Sequence, residues 1–206
     1  MSELTLAFVQ AALNAPVSTQ ADVATRIITD SREAKAGDVF VALVGEQFDG
    51  HDYVADVLAK GVAAVIVSRE VVAGDARQIM VADTLAALGQ IAQAWRLKWN
   101  PKIVALTGSN GKTTVKEMCA AILREAVGED AVLTTTGNFN NKIGMPLTLM
   151  RLQAVHKVAV LEMGMNHFGE LARLTQIAKP DVALVNNASR AHIGNDFNGV
   201  ADIARA

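Results

Sequence analysis

A short loop between two patterned segments carries the strongest chemical signal of this sequence. Residues 107–114 read TGSNGKTT, after the apolar run 103–106 and before a segment with helical periodicity. Glycines let backbone N–H groups approach phosphate oxygens, and a helix N-terminus favours negative charge. The pattern therefore predicts a phosphate-binding loop, of a kind shorter than the general Walker A motif. The predicted phosphate contacts are Gly108, Ser109, Asn110, Gly111, Lys112, Thr113 and Thr114.

Three side chains at or after this loop have the types that phosphoryl chemistry needs. Lys112 is expected to reach the β- and γ-phosphates and is a candidate catalytic residue. The Thr113 hydroxyl is a candidate Mg²⁺ ligand, as is Glu162, which directly follows the apolar run 157–161 and is also a candidate catalytic residue. The alternative interpretation is a plain strand-to-helix turn with a surface lysine and a solvated glutamate.

An asparagine-rich stretch and two histidines are weaker signals. Residues 137–146 (GNFNNKIGMP) read as one loop, whose amides suit a polar, anionic substrate but also make ordinary turns. His192 follows the predicted strand 182–185, which would place it at the same sheet edge as Lys112 and Glu162. It is therefore a candidate catalytic residue and metal ligand, with a surface histidine as the alternative. His51 is ambiguous in the same way.

Strand, loop and helix alternate from residue 102 onward, which predicts a parallel α/β sheet. The expected strands are 103–106, 131–135, 158–161 and 182–185, with a helix at 169–178. The helix after the glycine loop is expected to turn one apolar face toward the core. That face comprises Val115, Met118, Cys119, Ile122, Leu123 and Ala126.

The first hundred residues show a similar alternation. The expected strands are 26–30, 38–43, 63–67 and 78–82, and Asp83 or Thr84 is expected to cap a long helix that ends before Pro101. We place a domain boundary there, giving domains 1–100 and 101–206. A final helical pattern stops at Ala206 without a C-cap, so we expect the second domain to be incomplete and the chain to be a fragment. The alternative interpretation is a natural terminus with a frayed helix end.

Composition narrows the class of protein. The 206 residues are 51% hydrophobic and 19% charged, which excludes a disordered polymer. Nineteen Lys and Arg against 21 Asp and Glu supply no strongly basic surface for nucleic acid. No signal peptide and no apolar run long enough for a membrane span is present. We therefore expect a cytoplasmic protein without a nucleic-acid partner and without membrane insertion.

Four ordered motifs resemble those of the Mur ligases, the ATP-dependent amide-forming enzymes of peptidoglycan precursor synthesis. They are residues 107–114, residues 137–144, residues 162–167 (EMGMNH), and Asn186-Asn187 leading to Ala191-His192. In the first domain, residues 29–32 (TDSR), 40–46 and 49–51 (DGH) are similar to the UDP-sugar-binding part of the family.

The resemblance implies a small N-terminal α/β domain for a UDP-muramyl substrate, followed by a truncated P-loop-type parallel α/β ATPase domain, with a C-terminal domain absent. It implies ATP and Mg²⁺ as cofactors and a monomeric protein. It also implies that the full-length protein joins D-alanyl-D-alanine to UDP-N-acetylmuramoyl-tripeptide through an acyl phosphate. This fragment is expected to be inactive. The implied contacts to the uridine-diphosphate end are Ser31, Arg32, Gly45, Asp49, Gly50 and His51, and those to the muramyl peptide are Asn138, Asn140 and Asn141.

The chain departs from the family at two places. No lysine follows Lys179, although the family has a carbamylated lysine soon after the histidine that matches His192. Gly194 stands where relatives often carry an acid, and Asp196 follows two positions later. Three other functions fit parts of the sequence: a folylpolyglutamate-synthase-like ligase, a P-loop NTPase or phosphotransferase, and a binding module for UDP-sugar peptides without catalysis.

Overall fold

The computed structural model describes residues 4–16, 24–191, 194 and 196–206, and it contains two compact α/β units. The units are Met1–Ala94 and Trp95–Ala206. Their division falls inside a helix, before the boundary expected after Asn100. None of the helices in the described ranges is long and apolar enough to cross a bilayer.

The first unit is built on a parallel sheet with the strand order β1-β2-β3-β4. All four predicted strands are present, and each is shorter than its apolar run. β1 ends early because Asp30 accepts the backbone N–H of Arg32 and starts a 3₁₀ turn. The elements are α1 (Leu6–Ala12), β1 (Ile27–Ile28), β2 (Val39–Val41), α2 (Val54–Ala59), β3 (Ala64–Val67), β4 (Gln78–Met80) and α3 (Thr84–Trp99), which continues into the second unit.

Two local signals of this unit are confirmed and one element was missed. The Asp83 carboxylate accepts the N–H groups of Leu85 and Ala86, so Asp83 caps α3 as expected. All four residues of β3 are buried, as a β-branched run in a parallel sheet requires. The sequence pattern did not predict α1, whose start is capped by the Thr5 hydroxyl.

The second unit contains another parallel sheet, with the strand order β6-β7-β5-β8. In this register Leu106 lies beside Glu162, and Thr107 lies beside Val185. The expected parallel α/β architecture is therefore confirmed. The elements are β5 (Lys102–Thr107), α4 (Lys112–Val127), β6 (Val132–Thr134), α5 (Gly144–Leu149), β7 (Val158–Glu162), α6 (Glu170–Ala178), β8 (Val182–Val185) and α7 (Val200–Arg205).

The structure corrects the predicted face of α4. Met118 and Ile122 are 61% and 69% exposed. Cys119 and Leu123 do pack toward the core as predicted, together with residues that the pattern did not include, and Lys116 is buried among these. Counting lysine as polar hid this face, because a buried ammonium that finds acceptors can turn inward. The residues of the packed face are Lys116, Cys119, Ala120, Leu123 and Val127.

The predicted loop 137–146 is also shorter than expected, because α5 begins inside it. The Asn141 side-chain oxygen accepts the N–H groups of Ile143 and Gly144, which fixes the chain where the helix starts. Pro146 then lies in the first turn, where a missing backbone donor costs little.

Arg96 closes one end of the second unit. Its side chain is 7% exposed and donates to the carbonyls of Ala178 and Lys179 at 2.8 and 3.1 Å, and to Asn100 Oδ1 at 2.7 Å. These carbonyls lie at the C-terminal end of α6, where helical hydrogen bonds run out. A positive side chain there also suits the helix dipole.

We expect Arg96→Ala to lower the free energy of unfolding by about 2–3 kcal/mol, because buried carbonyls lose a charged donor. Urea unfolding followed by circular dichroism measures the change. Arg205→Ala, at a side chain 76% exposed, is the matched control and should change stability by less than about 0.5 kcal/mol. Equal stability of the two variants would contradict the capping role.

Candidate functional site

The glycine loop connects β5 to α4 at the carboxyl edge of the second sheet. Gly108 and Gly111 have φ values of +145° and +76°, which L side chains rarely adopt. A Cβ atom on Gly111 would lie 2.9 Å from Asn186 Nδ2, and one on Gly108 would lie 3.1 Å from the Asn187 backbone. Both positions therefore favour glycine for two reasons: the positive φ angle, and the short distance from a Cβ atom to a neighbouring asparagine. α4 then begins at Lys112 with no side-chain cap on its first N–H groups.

The segment after β8 holds this loop in place. Asn186 Nδ2 and Asn187 Nδ2 donate to the carbonyl of Asn110 at 2.8 and 2.9 Å, and Asn187 Oδ1 accepts the Asn110 N–H at 3.0 Å. Ser189 Oγ accepts from Asn110 Nδ2 at 2.7 Å, and its N–H donates to Ser109 Oγ. Asn186 and Asn187 belong to one of the sequence motifs, but no role was predicted for them. Ser189 was not predicted, because no local pattern marks it.

Glu162 is the centre of the site. It is the last residue of β7 and is only 2% exposed. Its Oε2 atom accepts from Thr113 Oγ1 at 2.8 Å, and its Oε1 atom accepts from Asn140 Nδ2 at 2.8 Å. The structure therefore brings together a loop hydroxyl, a strand-end carboxylate and one amide of the asparagine-rich stretch.

The oxygen donors of this cluster fit Mg²⁺ better than a softer metal. Within the described residues, no three His, Cys, Asp or Glu side chains form a group that could hold a metal ion by themselves. Mg²⁺ typically takes one or two carboxylates and fills its remaining positions with water and phosphate oxygens. Glu162 and Thr113 match that pattern. His192 lies outside the described residues, so its roles as catalytic residue and metal ligand stay predictions.

Lys112 lies half-buried beside the loop. Its Nζ donates to the carbonyl of Gly108 at 2.7 Å. A cavity of about 150 Å³ opens next to it, with Gly108, Ser109 and Lys112 on its polar side. Phe197 and Leu171 are among the residues of its apolar side. The cationic loop thus borders a mixed polar and apolar cavity inside the second unit.

The three asparagines predicted to bind the muramyl peptide have different surroundings. Asn140 is committed to Glu162, and its backbone carbonyl accepts the Gly164 N–H at 2.8 Å. Asn141 caps the start of α5, as described above, while Asn138 is exposed. Two of the three therefore have local structural contacts, and the peptide contacts stay predictions.

A second cavity, of about 430 Å³, lies in the first unit. Of the residues predicted to bind the UDP end, Ser31, Arg32 and Gly50 line it. The Arg32 side chain is 88% exposed and pairs with Asp30 at 2.6 Å, and this guanidinium lowers the pKa of Asp30 to about 2. Thr29, Asp30 and Phe40 also line it; they belong to the motifs 29–32 and 40–46, although no contact was predicted for them. Phe48 and Tyr53 complete the lining, and neither motif included them.

The other predicted residues of this unit, Gly45, Asp49 and His51, are not among the residues that line this cavity. His51 is 1% exposed, its Nδ1 lies 2.6 Å from Asp49 Oδ1, and its Nε2 accepts the Ser68 N–H at 2.9 Å. Because Nε2 accepts a backbone donor, the ring proton belongs on Nδ1, facing Asp49. Gly45 donates its N–H to the carbonyl of Phe48 in a tight turn. The ligand contacts of these residues stay predictions.

The Asp49 carboxylate accepts hydrogen bonds from the Arg69 side chain and from the His51 backbone. The Arg69 guanidinium, 2.7 Å away, and then the His51 backbone N–H lower the pKa of Asp49 to about 2. A carboxylate whose pKa is depressed by folding stabilises the native state above its unfolded pKa, and this contribution is lost as the pH falls through the folded value. The relevant window is therefore about pH 4 down to about pH 2.

We expect Asp49→Asn to remove about 1 kcal/mol of stability at pH 6 and to flatten the loss of stability between pH 4 and pH 2. Urea unfolding at a series of pH values tests this. The control is Asp52→Asn, on the same 3₁₀ turn, whose carboxylate accepts no hydrogen bond from the residues described. A wild-type acid profile in Asp49→Asn would contradict the assignment.

Together these features define a class: a P-loop-type parallel α/β unit that follows a smaller parallel α/β unit with its own cavity. Comparison with known families agrees. Residues 106–206 match the Mur ligase middle domain, and residues 24–96 match the Mur ligase family catalytic domain. The chain therefore belongs to the Mur ligase family.

Two relatives within this family that are similar to the chain carry the same name. The chain is 45% identical over 182 residues to the UDP-N-acetylmuramoyl-tripeptide–D-alanyl-D-alanine ligase of Haemophilus influenzae, covering 88% of this chain and 40% of that protein. It is 44% identical over 180 residues to the Escherichia coli protein of the same name, covering 87% of this chain and 39% of the relative. The chain thus spans about two fifths of the length of the relatives it matches.

Solved structures give the same result. A crystal structure of MurF from Acinetobacter baumannii has a TM-score of 0.89 and 41% identity, covering 98% of this chain and 44% of the other. The MurF ligase of Thermotoga maritima, solved in complex with ADP, has a TM-score of 0.80 and 34% identity, covering 87% of this chain and 41% of the other.

Proposed function

We propose that this chain forms the substrate-binding and part of the ATP-binding machinery of a ligase that joins D-alanyl-D-alanine to UDP-N-acetylmuramoyl-tripeptide. The observation that carries the proposal is the contact of Thr113 with the buried Glu162 at the end of the phosphate-binding loop. Relatives of that name, with 44–45% identity, support the choice of substrates.

The chemistry requires an activated carboxyl group. A carboxylate is a poor electrophile, so one of its oxygens attacks the γ-phosphorus of ATP, ADP leaves, and an acyl phosphate forms. The free amine of D-alanyl-D-alanine then attacks the acyl carbon, phosphate leaves, and the amine loses a proton. Both steps place negative charge at the glycine loop, where positioning and electrostatics supply most of the catalysis.

The proposed role of each residue in this chemistry follows from its position in the site. Lys112 neutralises charge on the transferred phosphoryl group, and the first N–H groups of α4 bind phosphate oxygens. Thr113 and Glu162 would hold Mg²⁺, which would supply positive charge against the transferred phosphoryl group. Asn140 binds the other oxygen of the Glu162 carboxylate. For His192, which lies outside the described residues, the proposed role is near a second metal ion or near the acyl phosphate.

The cavity of the first unit binds the uridine-diphosphate end of the substrate. Arg32 supplies an exposed cation for a diphosphate, and the aromatic rings of Phe48 and Tyr53 offer flat surfaces for a base. The hydrogen bonds between Asp49 and His51 fix the chain on either side of Gly50, which lines this cavity. We further propose that the protein works as a cytoplasmic monomer without a nucleic-acid partner.

The test is phosphate release from ATP and Mg²⁺ by the full-length protein with UDP-muramyl tripeptide, with and without D-alanyl-D-alanine. Release that depends on the dipeptide supports the ligase. Release that is independent of the dipeptide indicates a P-loop NTPase and overturns the substrate assignment. The 206-residue chain alone, assayed for binding of UDP-muramyl tripeptide by calorimetry, tests the first-unit cavity separately.

Within that assay, we expect Lys112→Ala to lower kcat by about 10²–10³-fold or more, because phosphoryl transfer loses its principal side-chain cation. Lys35→Ala, at an exposed lysine of the first unit, is the control and should keep wild-type kcat. Normal turnover by Lys112→Ala would overturn the phosphate-binding assignment of the loop.

A further inference from the structure

Lys116 is a buried cation that the proposed chemistry does not use. It lies on α4 one turn after Lys112 and is 2% exposed. Its Nζ donates to the carbonyl of Thr135 at 2.7 Å and lies 2.9 Å from Glu117 Oε1, on a side chain that is 54% exposed. Lysine is almost never fully buried without partners, and a well-packed apolar side chain often costs less at such a site.

Thr135, whose carbonyl accepts the hydrogen bond of Lys116, also contacts Glu162. Thr135 follows β6 and is 1% exposed. Its N–H extends the sheet by donating to Val160 O at 3.2 Å, and its Oγ1 accepts the backbone N–H of Glu162 at 3.0 Å. Thr135 therefore connects the Lys116 ammonium on one side to the Glu162 backbone on the other.

These contacts close a ring that starts and ends on α4. Lys116 reaches Glu162 through Thr135, and Thr113, three residues earlier on the same helix, bonds the Glu162 carboxylate directly. One helix thus fixes both the backbone and the side chain of the same glutamate. Each contact is within hydrogen-bond distance, and three of the four residues are at most 2% exposed.

This arrangement matters for a divalent cation because Mg²⁺ demands near-ideal octahedral geometry from its ligands. A glutamate side chain has several rotatable bonds, so its backbone must be fixed before its carboxylate can be. Groups that orient a metal ligand typically contribute 10- to 100-fold to metal affinity or activity.

We propose that Lys116 and Thr135 are positioning residues that hold Glu162 for its divalent cation. The inference rests on the proposed function, because the assignment of Mg²⁺ to Glu162 is made there. It goes beyond that assignment in giving the buried lysine a purpose that neither packing nor phosphate binding supplies.

The first test measures amide hydrogen exchange of Glu162 in the metal-free 206-residue chain, which requires no ligand and no activity. Lys116→Met and Thr135→Val should each raise this exchange rate about 10-fold or more. Thr135→Ser keeps the hydroxyl, and Glu117→Gln removes only the exposed ion-pair partner, so both should stay within about 2-fold of wild type. Unchanged exchange in Lys116→Met and Thr135→Val would overturn the proposal.

The second test measures the affinity of the full-length protein for Mn²⁺ in the presence of ADP, by electron paramagnetic resonance. Lys116→Met and Thr135→Val should weaken Mn²⁺ binding about 10-fold, and the double variant no more than either single one, because both break the same connection. ADP affinity without metal should change less than 2-fold. Lower stability with unchanged Mn²⁺ affinity would show a purely structural role and overturn the proposal.

The two tests separate this inference from the proposed function. If the wild-type protein bound no Mn²⁺ with ADP, the proposed function would fail, while Glu162 exchange would still decide whether Lys116 and Thr135 hold this residue. Lys116→Arg serves where Lys116→Met does not fold, because it keeps the charge with a changed shape. The amide exchange rate of Glu162 in Lys116→Arg should lie between the rates in the wild type and in Thr135→Val. Wild-type exchange rates in both Lys116→Arg and Thr135→Val would overturn the proposal.

Discussion

The buried Glu162 carboxylate is the constraint on which the second unit depends. A carboxylate that is 2% exposed is costly unless donors surround it, and here Thr113 and Asn140 each satisfy one oxygen. Those donors come from α4 and from the stretch before α5, so the hydrogen bonds that one buried carboxylate requires fix two segments around the end of β7. The parallel register makes this possible, because it ends β5 and β7 side by side.

The glycine loop is stabilised from the other side by the segment after β8. Its conformation depends on two glycines with positive φ and on amide hydrogen bonds from Asn186 and Asn187 to the carbonyl of Asn110. The loop is therefore held before any phosphate arrives, which reduces the ordering that binding would require. In the first unit, the hydrogen bonds between Asp49 and the buried His51 similarly fix the chain on either side of Gly50, which lines the cavity there.

Local sequence patterns predicted the elements well and their contacts poorly. Strand runs, the Asp83 cap and the stop before Pro101 depend on neighbours in sequence, and the structure confirms them within a few residues. The predicted face of α4 was only partly right: Cys119 and Leu123 pack as expected, whereas Met118 and Ile122 are exposed. The buried Lys116 was missed because a hydrophobic count treats every lysine as solvated. The start of α5 was missed because Asn141 and glycine also signal turns, and only the contacts of Asn141 distinguish the two.

Short-range periodicity and glycine conformation were enough to predict the parallel α/β class, the glycine loop between β5 and α4, and an acid at a strand end. Which groups meet depends on the tertiary structure. It brings Asn140 to Glu162, buries His51 outside the lining of the first-unit cavity, and places Lys116 in the sheet–helix interface. The physical reason is that the strand order β6-β7-β5-β8 sets these neighbours, and that order arises from long-range packing that no local pattern encodes.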